Sequence, residues 1–241
     1  MSELVSLQTG PVCVNSWIVP LSDGLVFVVD PAGCLLTRDE TVITGYLKSK
    51  NLTPVAVVLT HGHFDHVIGL PVIRSTYPDA GIAIHKRDAD CIGKNSAERQ
   101  RKCLSVLRAE TILPAVSNRP AADFFLEDGK TLADIFGLQY CIVSCNSDLA
   151  AAEKLWKAFS DWNVIHTPGH TGGSVCLYNA VGKKLISGDT VFYHSCGRTD
   201  LYGGCESDML HSLARLREQV PEDTLVYPGH DYAGFPLSET I

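Results

Sequence analysis

The sequence predicts an α/β fold, and three observations predict it. Short apolar runs of strand length recur along the chain. They alternate with segments whose apolar residues fall at helical spacing. Four of the runs end at a histidine or aspartate set in a tight turn.

Residues 12–20 and 24–30 read as two strands joined by Leu21-Ser22-Asp23. The second is continuously apolar from Leu25 to Val29, which predicts burial on both faces. Thr37-Arg38-Asp39-Glu40 has the form of a capping box, so a helix is expected to open there, burying Val42, Ile43, Tyr46 and Leu47. A buried strand over 55–59 runs straight into a histidine-rich turn, followed by a helix over 67–76 and a strand over 81–85. Residues 97–108 are polar and read as helical. Leu149, Ala152, Trp156 and Phe159 fall at helical spacing after the cap candidates Asn146-Ser147-Asp148. Strands are then expected at 163–166, 174–178, 184–187 and 224–227. A helix with its face on Leu210, Leu213, Leu216 and Val220 separates the last two. No linker or low-complexity stretch divides the chain, so residues 1–241 are expected to form a single domain.

Composition bounds the function. Hydrophobic residues make up 45% and charged residues 20%, as in an ordinary globular protein. A net charge of −7 gives no general attraction for nucleic acid or anionic membrane, so neither is expected as a partner. No apolar run is long enough to span a bilayer, and Met1-Ser2-Glu3-Leu4 does not read as a secretory signal. The nine cysteines are scattered, without a CxxC pair. They read as small buried side chains in a reducing cytoplasm, Cys141 with Cys145 being the one pairing to test.

The chemistry concentrates in Thr60-His61-Gly62-His63-Phe64-Asp65-His66. His61 and His63, two apart, point to one side of an extended segment, and Asp65 and His66 follow after a turn. Neutral imidazoles with a carboxylate are ligands for zinc, iron or manganese. Three histidines in one turn would repel one another if charged, which argues for a metal between them.

This run resembles the HxHxDH signature of the metallo-β-lactamase superfamily. The resemblance extends in order to His170 in Pro168-Gly169-His170, Asp189 in Ser187-Gly188-Asp189 and His230 in Pro228-Gly229-His230. It implies a four-layer αβ/βα sandwich with the site at one edge. It implies that His61, His63 and His170 hold one metal, that Asp65, His66 and His230 hold a second, and that Asp189 bridges them. Two zinc ions are the expected pair, with iron or manganese as alternatives. Asp65 is the candidate catalytic residue, orienting a metal-borne hydroxide. The remaining histidines, His85, His166, His194 and His211, read as structural or supporting groups.

True β-lactamases lack the aspartate that here follows Ser187-Gly188. The run from His166 to Ser174 and the opening strands resemble the glyoxalase II group, the hydroxyacylglutathione hydrolases. The family's extra glutathione-binding domain has no counterpart after His230, so a short form is implied. A thioester is then the expected substrate, a small molecule possibly linked to glutathione. Arg198 in Gly197-Arg198-Thr199-Asp200 and Tyr232 also resemble positions near glutathione in the persulfide dioxygenases, which use one iron, so that reaction is the alternative. A further alternative is a metal-binding scaffold without turnover. Arg198 is a candidate for a substrate carboxylate, or else a partner for Asp200, and Tyr232 for substrate contact or packing. Finally, residues 141–161 read as an insertion, whose Leu149/Trp156/Phe159 stripe is expected to serve as core or interface, or to cover the cleft.

Overall fold

The computed structural model describes residues 3–94 and 96–240. Two sheets carry the architecture. The first has six strands in sequence order: β1 (Val5–Thr9), β2 (Val14–Pro20), β3 (Leu25–Val29), β4 (Thr53–Val58), β5 (Gly81–His85) and β6 (Phe124–Leu126). β1 to β3 pair antiparallel, and β3 to β6 parallel. The second sheet uses β7 (Asn163–His166), β8 (Val175–Asn179), β9 (Lys184–Gly188), β12 (Leu225–Pro228) and β13 (Phe235–Pro236), in the order β13-β12-β9-β8-β7. A small hairpin, β10 (Val191–Phe192) and β11 (Ser195–Cys196), stands beside it.

Strand alternation explains the layers. In β3 and β4, Phe27, Val29, Ala56 and Val58 join Val164, Val175, Leu177 and Ile186 of the second sheet in one cluster. Their neighbours Val26, Val28 and Val57 point the other way, onto Ile43 and Leu47 of α1 (Val42–Ser49) and onto Leu70 and Ile73. On the far side, Cys176, Leu185 and Val226 meet Leu216 of α8 (Glu206–Gln219). The result is helix, sheet, sheet, helix, the sandwich the sequence led us to expect. The unbroken apolar run of β3 has the physical reason anticipated for it, since each face lies in a different core.

Several local expectations are corrected. Thr37-Arg38-Asp39-Glu40 does not cap α1, whose N-cap is Thr41. Instead Asp39 accepts from the backbone N–H groups of Gly10 and Cys34, tying the loop to the first hairpin. The helix expected over 67–76 is two: α2 (Phe64–Val67) and α3 (Leu70–Thr76). Gly69 between them donates to the Pro31 carbonyl, and a Cβ there would lie 2.5 Å from that oxygen. Pro71 then sits in the first turn of α3, where a missing N–H costs nothing.

The polar segment after β5 forms α4 (Ser96–Val106), followed by the single turn α5 (Leu113–Val116). α6 (Leu132–Ser144), opened by a Thr131/Asp134 capping box, and α7 (Leu149–Ser160) pack as a hairpin against the cluster between the sheets. Asp148 caps α7 through its side chain. The buried stripe of α7 is Ala152, Leu155 and Phe159, while Leu149 and Trp156 are exposed. No residue of α6 or α7 lines the cleft at the edge where the candidate ligands lie, so the hairpin does not cover it. All nine cysteines are free, Cys141 and Cys145 included. Among the described residues no helix is long and apolar enough to cross a membrane.

Candidate metal centre

Strand ends deliver the site. β4 runs into Thr60-His61, β7 leads to the turn holding His170, β9 ends at Gly188 before Asp189, and β12 ends at Pro228 before His230. The two sheets are stitched together here. Val175 donates its N–H to the Thr60 carbonyl and Asn15 to the Gly229 carbonyl, while within the second sheet Gly229 donates to the Gly188 carbonyl. Three glycines keep the turns thin. A Cβ on Gly229 would lie 2.3 Å from Asp189 Oδ1, one on Gly197 would lie 1.9 Å from the Asp189 carbonyl oxygen, and one on Gly62 would lie 2.4 Å from Cys91 Cβ.

All seven residues expected as ligands converge. His61, His63 and His170 form one group, and Asp65, His66 and His230 another, with ligand atoms inside each group within 4.8 Å of one another. His63 Nδ1 lies 2.7 Å from His170 Nε2, and His66 Nε2 lies 3.2 Å from His230 Nε2. Asp189 stands between the groups, with Oδ1 3.5 Å from His66 Nε2 and Oδ2 3.4 Å from His170 Nε2 and 3.5 Å from His230 Nε2. Asp65 Oδ2 is 3.4 Å from His230 Nε2.

The outward ring nitrogens are held by acceptors. His170 Nδ1 bonds the Arg198 carbonyl at 2.7 Å, and His230 Nδ1 the Val12 carbonyl at 3.2 Å. His66 Nδ1 meets Asp30 Oδ2 at 2.9 Å, and His61 Nδ1 meets Thr60 Oγ1, which itself donates to Asp30. Each contact turns Nε2 inward and, with a metal bound, would hold the tautomer whose Nε2 is free to ligate. His61 Nε2, His63 Nε2 and Asp189 Oδ1 are buried without a hydrogen-bond partner. Buried lone pairs aimed at one another are costly unless a cation lies among them, so this donor set fits a metal centre.

Electrostatics agree. Burial, reinforced by neighbouring imidazoles, holds His61 well below its ordinary pKa and brings His63 down to about 3. Burial also opposes charge on His66, but Asp189, Asp65 and Asp30 outweigh it and raise His66 well above the usual value. Asp189 is held well below the carboxylate range, burial being outweighed chiefly by His66. In the metal-free site a proton on His66 therefore balances the carboxylates, and a metal would displace it.

Two supporting carboxylates escaped the sequence reading. Asp30 closes β3, so the strand-end signal that singled out the ligands also applied to it. Asp88 had no such signal. It lies in a 3-10 turn after β5, fully buried, and accepts from Gly62 N (2.9 Å), Thr171 Oγ1 (2.7 Å) and Gly173 N (3.0 Å). It thereby joins the His61–His66 turn to the His170 loop.

The candidate substrate residues are placed differently. Arg198 lines the cleft, but its Nε and Nη2 are each 2.7 Å from the two carboxylate oxygens of Asp200. Tyr232 is 61% exposed and packs with Tyr193 and Phe235 outside the residues that line the cleft. His166 stacks on His85 with centroids 4.1 Å apart, and its Nε2 bonds the Gly172 carbonyl. His194 packs on Tyr193, and His211 sits on an exposed turn of α8.

Comparison with known proteins gives a consistent picture. The family model of the metallo-beta-lactamase superfamily matches residues 9–136 and 158–230. A probable metallo-hydrolase of Bacillus subtilis, YqgX, is 29% identical over 224 residues, 93% of this chain and 88% of that protein. A hydroxyacylglutathione hydrolase of Tolumonas auensis is 28% identical over 236 residues, 98% of this chain and 69% of the relative. Among solved structures, the BLEG-1 B3 metallo-beta-lactamase superposes with a TM-score of 0.75 at 26% identity, covering 98% of this chain and 95% of that one. TTHA1623 in a di-iron-bound form superposes with a TM-score of 0.71 at 26% identity, covering 98% and 96%.

Proposed function

Because this chain belongs to the metallo-beta-lactamase superfamily, we propose that it is a metal-dependent hydrolase of thioesters, with hydroxyacylglutathione-like compounds as the reference substrates. The carrying observation is the cage of seven ligands in which Asp189 faces both groups, opening on a cleft of about 380 Å³. His61, His63 and His170 would hold one ion, Asp65, His66 and His230 the second, and Asp189 both. Zinc is the first expectation, and the di-iron form of TTHA1623 keeps iron among the candidates. Bound metal would supply a hydroxide at neutral pH and polarise a substrate carbonyl.

The protein's own residues account for the rest. Asp65 lines the cleft and lies within reach of His230, so it can orient the attacking oxygen and take its proton at Oδ2. His170, anchored through the Arg198 carbonyl, keeps its Nε2 aimed inward. Phe64 and Leu201 form apolar walls of the cleft. The reading takes 1–241 as one domain with an insertion around 141–161. It is supported by the family match, which leaves out 137–157, and by the α6–α7 hairpin, which shares the core between the sheets. The single-iron persulfide dioxygenase is the rival reaction. Asp189 facing both ligand groups suits two ions rather than one, which favours the hydrolase.

The test is turnover of metal-loaded protein on lactoylglutathione and simple acyl thioesters, with oxygen uptake on glutathione persulfide and β-lactam hydrolysis in parallel. Thioester cleavage that stops on chelation supports the reading. Oxygen uptake with one iron, or β-lactam cleavage without thioesterase activity, overturns it.

A further inference from the structure

The two groups of candidate ligands are fastened by different parts of the chain. Around His61, His63 and His170 the fastening comes from Asp88 and from the Arg198 carbonyl. Around His230 it comes from the first hairpin. Asn15, buried in β2, sets its side-chain Nδ2 3.2 Å from the Pro228 carbonyl and 3.1 Å from the Asp231 carbonyl. One amide group thus spans the turn that carries His230. Both carbonyls are acceptors only, which fixes the way the amide faces. Its Oδ1 is left to Ser6 Oγ at 3.1 Å and Gln8 Nε2 at 3.3 Å. The Asn15 backbone N–H donates to the Gly229 carbonyl between these two points. Trp17, two residues on and so on the same face of β2, adds Nε1 to the Pro228 carbonyl at 3.1 Å. The same hairpin supplies the Val12 carbonyl to His230 Nδ1.

His230 depends on these bonds more than the other candidate ligands do. It alone of the seven is not buried, so packing constrains it least. Asp231 beside it has a φ of 60°, in the left-handed region, and its carbonyl is one of the two that Asn15 holds. The turn also presses on the rest of its group. A Cβ on Gly229 would lie 2.3 Å from Asp189 Oδ1 and 2.7 Å from His66 Cε1, so a shift of the turn is felt there as well. We propose that Asn15 is a positioning residue for the second ion. Its amide clamps the turn from Pro228 to Asp231 so that His230 meets Asp65 and His66, and occupancy of that site, not of the His61–His63–His170 site, depends on it. The role rests on the two-ion reading of the ligand cage and is independent of the substrate.

The experiment is titration of the metal-free protein with cobalt(II), followed by visible absorption and calorimetry. Wild type is expected to take up two equivalents, and the signal missing from His230→Ala identifies the second site. Asn15→Leu is close in volume, removes the amide clamp and keeps the backbone bond to Gly229. It is expected to weaken the second site by about 10–100-fold and to leave the first unchanged. A purely structural role would instead weaken both sites together. Ser6→Ala combined with Gln8→Ala alters two exposed side chains, loosens the amide from behind and is expected to weaken the second site alone, to a smaller extent. Equal weakening of both sites in Asn15→Leu, or a second site as tight as in wild type, would overturn the proposal. Should Asn15→Leu not fold, an unchanged second site in the surface pair would overturn it. A wild type that takes up one equivalent would overturn the two-ion reading and the proposal together. The predicted titration in a protein that cleaves no thioester would overturn the hydrolase reading and leave the role of Asn15 standing.

Discussion

Replacing Asp88 with alanine tests how the two ligand loops are held together. The carboxylate is fully buried and accepts three hydrogen bonds, from Gly62 N, Thr171 Oγ1 and Gly173 N. In the variant, Thr171 Oγ1 keeps Ser174 Oγ at 2.8 Å, but the two glycine N–H groups lose their acceptor. Each buried orphan costs about 1–3 kcal/mol, so the direct loss is about 2–6 kcal/mol. Relief from burying a carboxylate offsets part of it, since burial already pushes Asp88 above its ordinary pKa. A net loss of about 2–4 kcal/mol is a large part of the roughly 5–15 kcal/mol typical of a folded domain. Urea unfolding of the metal-free protein should show it as a lower midpoint. Because the freed loops carry His61, His63 and His170, metal affinity should also fall, by about 10–100-fold. Asp88→Asn keeps the volume and one acceptor, and should lose less. An alanine variant with wild-type midpoint and wild-type metal affinity would refute the argument.

Asp30→Asn turns an amide N–H₂ or a lone weak acceptor toward His66 Nδ1, undoing the tautomer that frees Nε2. Metal affinity should fall about 10–100-fold by competition titration, with the fold unchanged by circular dichroism. In α7, Phe159→Ala should cost about 3–5 kcal/mol in urea unfolding and the half-exposed Trp156→Ala less than about 1 kcal/mol, an order the sequence stripe did not distinguish. Burial, with help from His166 and Arg87, lowers His85 to about 4. The unfolded chain then binds the extra proton first. This contribution to stability is therefore intact above about pH 6.5 and is lost as pH falls toward 4, and His85→Phe should flatten the unfolding midpoint across that window. Gly197→Ala, whose Cβ would strike the Asp189 carbonyl, should lower metal affinity more than it lowers stability, read by the same two titrations.

What the sequence carried openly was local. Metal ligation needs particular residue types, and His61, His63, Asp65 and His66 display theirs within one turn. Periodicity likewise placed β3, β4 and α8 to within a few residues. Asp30 and Asp88 act through partners far along the chain: Thr60 and His66 for one, Gly62 and Gly173 for the other. Asp30 shares the strand-end position of the candidate ligands, whereas nothing near Asp88 marks its role. Arg198 shows the same limit. Its motif left a substrate carboxylate and Asp200 both open as partners, and the structure pairs it with Asp200. β1 was overlooked although Val5 and Leu7 alternate with polar residues, because the strand is a half-exposed edge whose weak pattern is easily outweighed. The α7 stripe was mis-phased because Leu149, first after the Asp148 cap, faces solvent whereas Leu155 faces the core.

The central claim is that these seven ligands form a metal centre that hydrolyses thioesters. Its most direct test is metal analysis of the purified protein, before and after chelation, with thioester hydrolysis measured on the same samples. About two equivalents of metal per chain are expected, with activity lost with the metal and restored on adding it back. Thioesterase activity that survives complete metal removal, or a fully loaded protein that cleaves no thioester, would contradict it.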